Sequence, residues 1–302
     1  MKKLSSRSIL FFVAVGCLYF AGVAAILYPM VSNILSLTNS REVISGYEEK
    51  VASLDDIAIN SIIAKADKYN YDVSRHIYRD GYEKSLCDAS GLMCYVEVPS
   101  INVYLPVYYG TSNDVLQKGC GFVENTSLPI GGKSTHAVIS GHTGLPSAEM
   151  LTKLDQVKKG EVFYIHVLDM ILEYQIDKIT VVTPDVFADL AIVENEDLVT
   201  LLTCTPYGIN DKRLLVRGTR VPYEKPAEAG TDTNTDTADP KPDTDSADAG
   251  LEKEISHQMN IVIAIIIAAV ILYIDAFIWL VSSIKKKQAS GSEEQDVTQE
   301  TD

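Results

Sequence analysis

Two long apolar runs near the ends of the chain, the first without a charge, limit every fold open to it. They are ILFFVAVGCLYFAGVAAILYPMV, Ile9 to Val31, and MNIVIAIIIAAVILYIDAFIWLVSSI, Met259 to Ile284. Each is long enough to cross about 30 Å of hydrocarbon, which takes roughly 20 residues. The first exceeds the apolar core of about 7–15 residues in a cleaved signal peptide, so it reads as an uncleaved anchor. Asp275 interrupts the second run in its last third, close to Lys285, Lys286 and Lys287. A carboxyl at that depth stays protonated or meets a lysine. Lys2, Lys3 and Arg7 precede the first run and the three lysines follow the second. The positive-inside rule then puts both termini in the cytoplasm. The sequence predicts a double-pass protein of the cell membrane, with the chain between the spans on the extracellular side.

Charge removes one class of function. The formal net charge is −15, the wrong sign for a nucleic-acid binder, which needs a basic face. Much of the acid lies between Glu224 and Glu254, in a stretch rich in Asp, Thr, Pro and Ala and poor in apolar residues. Such a composition cannot bury a core. The expected organisation is a basic N-terminus (1–8), an anchor (9–31), an extracellular helical segment (32–92), a folded domain (93–223), an acidic disordered linker (224–258), a second span (259–284) and a polar cytoplasmic tail (285–302) without fixed structure.

Between the spans the period changes. Val43, Tyr47, Val51, Leu54, Ala58 and Ile62 recur at spacings of three and four, which predicts a helix over 42–68 with one apolar face. From Met93 the pattern alternates. MCYVEVPSINVYLPVYYGTS, THAVISGH, EVFYIHVLDMILEYQIDKITVV, LVTLLTC and RLLVRGTRVPY are short β runs separated by turn signals. They predict a mainly β domain, closed or sandwiched. Within it only Ala148 to Lys159 has a helical pattern.

Four cysteines, Cys87, Cys94, Cys120 and Cys204, lie in the exported part, where disulfides are permitted. Cys87 and Cys94 are near enough in sequence to bridge, a point that spacing leaves open. Cys204 stands apart. It closes the strand run DLVTLLTC, and DKRLLVRG starts within about eight residues, so the two are expected to be antiparallel neighbours with Arg213 beside Cys204. A nearby cation favours thiolate over thiol and can later face an oxyanion. A buried cysteine beside a surface arginine would need no chemistry, and these two residues alone do not decide. A nucleophilic cysteine also needs a proton donor for its leaving group. Of the five histidines, His142 ends an apolar strand in VISGHTGLP, where sites tend to be built. His136 shares its strand parity, but no carboxylate or thiol at suitable spacing makes the two a metal site.

ISGHTGLPSA, TLLTCTPYGIN and RLLVRG together resemble the sortase family, cysteine transpeptidases of the Gram-positive cell surface, and among them the pilus-assembling class C. YVEVPSINVYLPVYYGTS and VLQKGCGFVENTSLPIGGKSTHAVISGHTGLPSAEM extend the likeness over Met93 to Tyr223. The resemblance implies an eight-stranded β-barrel with an N-terminal helical segment and two flanking transmembrane helices, and no metal or organic cofactor. It implies Cys204 as nucleophile, His142 as general acid and then base, and Arg213 as the group that holds the substrate carbonyl. Thr203 would help shape the substrate groove. Arg217 and Arg220 receive no catalytic role. The implied partners are pilins or other surface proteins with LPXTG-like sorting signals, with a pilin lysine as acceptor. Class C members carry an Asp-Pro-aromatic lid. Here Asp80-Gly81-Tyr82 keeps the acid and the ring but has glycine for proline, which predicts a looser lid. Three alternatives stay open: a sortase attaching single proteins to cell-wall precursor, a non-catalytic scaffold on the same barrel, and, against the strand-rich pattern, a papain-like protease.

Overall fold

A computed structural model describes residues 6–77, 81–186, 188–223 and 245–299. The chain divides into two compact units, residues 1–31 with 256–302, and residues 32–255. Two helices contribute to both: α1 (Ser6–Ala52), and a C-terminal helix (Asp245–Gln299).

In the first unit the segments Leu10–Ala52 and Gly250–Ser283 carry stretches long and apolar enough to cross a membrane, with mean hydropathies of 2.5 and 3.0. Their apolar parts touch through aromatic rings. Tyr19 stacks on Tyr273 with centroids 5.8 Å apart, and its hydroxyl donates to the Ala269 carbonyl at 3.0 Å.

The second unit holds the barrel. Its strands are β1 (Leu92–Val98), β2 (Val103–Tyr109), β3 (Cys120–Phe122), β4 (Thr135–Ser140), β5 (Val162–Val167), β6 (Met170–Val182), β7 (Asp197–Thr205) and β8 (Lys212–Arg220). They close in the order β1-β2-β3-β4-β7-β8-β6-β5. β2–β3 and β4–β7 are parallel pairs and the rest antiparallel. Period-2 alternation decides which side chains enter. Ala137 and Ile139 of β4, Val199 and Leu201 of β7, and Leu214 and Val216 of β8 join the interior core with Phe163, Ile165 and Tyr174. Each large apolar side chain so buried contributes about 1.5–3 kcal/mol. The residues between them face outward.

The single helix expected over 42–68 is two. α1 ends at Ala52, and α2 (Asp56–Ser74) starts behind an N-cap, Asp55, whose carboxylate accepts the Ala58 N–H at 2.7 Å. A cap of this kind is worth about 1 kcal/mol and competes with a continuous helix. Each helix then docks separately. The Tyr47 hydroxyl of α1 donates to the Met93 carbonyl (3.1 Å) and accepts the Leu168 N–H (2.8 Å). The Asn70 amide of α2 pairs reciprocally with the backbone of Leu128.

Three further expectations differ from the structure. The helical pattern at Ala148 to Lys159 gives only a short 3-10 turn, Thr152–Gln156. Its leading residues are engaged by the loop after β4 instead: the Leu151 N–H donates to the His142 carbonyl (3.1 Å), and the Thr152 hydroxyl accepts the Gly144 N–H (3.0 Å). The stretch expected to be linker up to 258 is helical from Asp245 onward. Leu251 is buried and Ile255, one turn on, packs beside it against Ile44 and Tyr47, so an amphipathic face forms where composition alone reads as spacer. The tail expected to lack structure continues this helix to Gln299. Residues 224–244 of the linker lie outside the described residues.

Candidate active site

β4, β7 and β8 are consecutive in the barrel, and their pairing brings the three chemistry-bearing residues to one rim. Cys204 of β7 lies opposite Arg213 of β8 in antiparallel register. On the other side β7 runs parallel to β4, with Leu202 opposite Ser140. Two residues further along each strand direction come Cys204 and His142. Neighbouring strands are about 4.8 Å apart, so Cys204 and Arg213 stand on adjacent strands, and His142 follows two residues past the end of β4 at the same rim.

They also share a face. Ala137, Ile139, Val199, Leu201, Leu214 and Val216 point inward, so Cys204 and Arg213, on the opposite parity of β7 and β8, face outward, and His142 lies in the loop just past β4. All three are half-buried, within reach of a ligand from outside. Arg213 Nη1 donates to the carbonyls of Lys212 (3.0 Å) and Asn210 (3.3 Å). Among the described residues no carboxylate pairs with it, which leaves the rest of the guanidinium fork for a developing oxyanion.

The other thiols of the second unit are poor nucleophiles. Cys94 and Cys120 are fully buried. Burial pushes the Cys120 thiol up to about 12, the Cys87 thiol to about 11, and Cys94 higher still. Thiolate, not thiol, attacks. All the cysteines are free, Cys87 and Cys94 included.

The loop that carries His142 is fastened from below by residues of inward parity. The Thr203 hydroxyl donates to the Gly141 carbonyl at 2.7 Å, and its oxygen lies 2.5 Å from that of Thr143. Thr203 has one proton, already given to Gly141, so Thr143 is the donor of the second bond. The Gly141 N–H reaches the Leu202 carbonyl at 3.0 Å. Gly141 has no room for a side chain: a Cβ there would stand 2.8 Å from Leu151 and 3.1 Å from Cys120 Sγ. Above, the turn after Cys204 folds over the loop. Tyr207 lies against Gly144, whose φ of +74° suits glycine.

Thr203 meets the His142 loop from the inner side of β7. It is 2% exposed and acts on the site through Gly141 and Thr143. Thr143 carried no signal of its own, because its partner is distant in sequence and met only across the parallel β4–β7 pair. Replacing Thr203 with valine removes both bonds and leaves the Gly141 carbonyl and the Thr143 hydroxyl without their partner, at a cost of about 1–3 kcal/mol. The expected result is a lower melting temperature and a kcat about tenfold down, with Thr203→Ser close to wild type. Thermal melts and steady-state kinetics on the three proteins check it.

His136 is not brought to the rim. Both of its ring nitrogens are engaged, with Ala191 and Thr200. Of the lid residues, Asp80 lies outside the described residues. Tyr82 is 44% exposed, and among the described residues no ring contact or hydrogen bond joins it to Cys204 or Arg213.

The Sortase domain family model matches residues 96–221. The solved structure of Clostridium perfringens sortase C with the C-terminal cell wall sorting motif is 45% identical, with a TM-score of 0.57, and the match covers 60% of this chain and 99% of that one. The chain belongs to the sortase family. A second solved relative of this sortase, Streptococcus pneumoniae sortase C, is 43% identical with a TM-score of 0.57, over 62% of this chain and 100% of that one. Among curated relatives, sortase A of Bacillus anthracis is 28% identical over 125 residues, 41% of this sortase and 57% of the relative. The chain thus spans about half the length of the curated relatives it matches, while the solved sortase C barrels are matched end to end.

Proposed function

We propose that this sortase is a cysteine transpeptidase of the pilus-assembling kind, held in the cell membrane by two spans with its barrel outside. The observation that carries the reading is the register of β4, β7 and β8, which supports His142, Cys204 and Arg213 as one set at the same rim. The Cys204 thiolate attacks the carbonyl before the scissile bond of an LPXTG-like signal. Arg213 donates to the oxygen as negative charge builds there. The C–N bond breaks, the leaving amine takes a proton from His142, and the acyl group stays on sulfur as a thioester. A pilin lysine amine then attacks the thioester, gives its proton to His142, and leaves as an isopeptide while the thiolate is restored. Streptococcus pneumoniae sortase C is described with regard to its pilin substrate specificity, which favours a pilin as partner here.

The acceptor is tested by offering the sortase a sorting-signal peptide with a lysine-bearing pilin fragment and, separately, with amines that mimic cell-wall precursor. Mapping the product to a lysine isopeptide supports pilus assembly. Transfer only to the wall-type amine replaces it with single-protein anchoring.

Asp80 and Tyr82 are assigned as a lid with a flexible joint, since Gly81 sits at φ +128°, which proline cannot adopt. A lid lowers the apparent reactivity of Cys204 in proportion to its closed population. Asp80→Ala with Tyr82→Ala should therefore raise the rate of Cys204 alkylation about two- to tenfold. An unchanged rate removes the lid.

A further inference from the structure

The connection between β6 and β7 spans residues 183–196, of which Phe187 lies outside the described residues. β6 ends at Val182, opposite Arg213 on the catalytic rim. β7 begins at Asp197, opposite Thr135 at the far end of β4. The chain must therefore travel the length of the barrel, and it does so over the outer face. The carbonyl of Ala191 meets the ring of His136, which lies on the outward parity of β4 together with Ser140. Along this path Val138, Leu198 and Thr200 are covered, while Ser140, Leu202, His142 and Cys204 remain partly open. The connection thus stands as a wall beside the outer face of β4 and β7 that leads toward Cys204.

His136 fastens that wall to both catalytic strands. It is 1% exposed. Burial draws its pKa below the usual histidine value, so the ring is neutral near pH 7. A carbonyl only accepts, so Nδ1 carries the proton and donates to Ala191 at 2.9 Å. Nε2 then accepts the hydroxyl of Thr200 at 2.7 Å. Thr200 lies on the face of β7 that carries Cys204, and His136 on the face of β4 that leads to His142. Other fastenings flank the ring: Lys178 with Asp189 (2.6 Å), the Ser134 hydroxyl with the Asn195 N–H (2.9 Å), and the Thr135 N–H with the Glu196 carbonyl (3.1 Å). The wall has room to shift without them. A cavity of about 540 Å³ lies against it, lined by Leu190, Ala191, Ile192 and Glu194 on one side and Arg75 and His76 on another.

We infer that His136 is a positioning residue that sets affinity for the donor peptide: its Nδ1–Ala191 bond holds the β6–β7 connection as the cleft wall against which an extended sorting signal lies. The inference rests on the transpeptidase reading above. The two nitrogens can be separated by substitution. Asparagine places an amide N–H near the Nδ1 position, and glutamine places a polar group near Nε2. His136→Gln keeps a partner for Thr200 and frees the wall, while His136→Asn keeps the wall.

The test measures acylation of Cys204 by an LPXTG-like peptide in wild type and both variants, with hydrogen exchange of the amides at 188–196. His136→Gln should raise KM about tenfold, the worth of one hydrogen bond, with kcat within about twofold. Its wall amides should exchange faster. His136→Asn should return both KM and exchange to within about threefold of wild type. Equal losses in the two variants, or an unchanged KM in His136→Gln beside faster exchange, overturn the inference while leaving the transpeptidase reading in place. Exchange that is the same in all three proteins overturns the tie itself. Wild type that takes no acyl group overturns the transpeptidase reading and the inference about affinity with it, whatever the exchange data show.

Discussion

Cys204→Ala abolishes the covalent intermediate and lowers transpeptidation by on the order of 10⁶-fold, the scale of removing a nucleophile from an enzyme that works through an acyl intermediate. No other thiol of the barrel can substitute. Cys94 and Cys120 are fully buried, and Cys120 packs where a Gly141 side chain would otherwise stand. Cys87 is partly open, but with its thiol pushed up to about 11 only a trace is thiolate at pH 7. Brief alkylation of folded residues 32–258 should thus label Cys204, and the alanine variant should stay unlabelled until it is unfolded. The barrel tolerates the change, because Cys204 is half-exposed on the outer face and makes no interior contact in the core. Native labelling at another cysteine would contradict the assignment.

The second large effect is at Arg213. Arg213→Ala should lower kcat/KM for acylation by about 10²–10³-fold, the usual cost of one oxyanion donor. Melting should change little, since the native side chain gives up only its bonds to two carbonyls at an open strand end. Arg213→Lys should recover only part of the loss. Lysine restores the charge, but not the planar fork that can hold two carbonyls of its own turn and still face a third oxygen. A drop of less than about fivefold in the alanine variant would remove Arg213 from the transition state.

The features legible in sequence are those where short-range spacing fixes geometry. The interval from Cys204 to Arg213 is so short that β7 and β8 had to be antiparallel neighbours, and they are paired residue for residue. His142 was found by its position at a strand end. What was not legible depends on partners distant in sequence. The Thr143–Thr203 bond exists because β4 and β7 are parallel neighbours, with some 60 residues of chain between them. The division of α1 from α2 hangs on one aspartate cap that a periodicity count passes over. The helix from Asp245 forms because Leu251 and Ile255 find Tyr47 and Ile44, a surface that local composition does not reveal. His136 is legible in sequence only as a strand residue sharing the parity of His142, because its partner Ala191 lies on the β6–β7 connection, 55 residues away.

The central claim is that Cys204 takes an acyl group from a sorting signal and passes it to an amine, and intact mass tests it most directly. Residues 32–258, with Asp80 and Tyr82 replaced by alanine to remove the proposed lid, are incubated with an LPXTG-like peptide beside their Cys204→Ala counterpart. The expected result is an added mass equal to the peptide's acyl portion, on Cys204 alone, which disappears as a lysine-bearing pilin fragment gains the same mass. A barrel that is folded and alkylatable at Cys204, yet gains no mass from any LPXTG-like peptide, would contradict the claim.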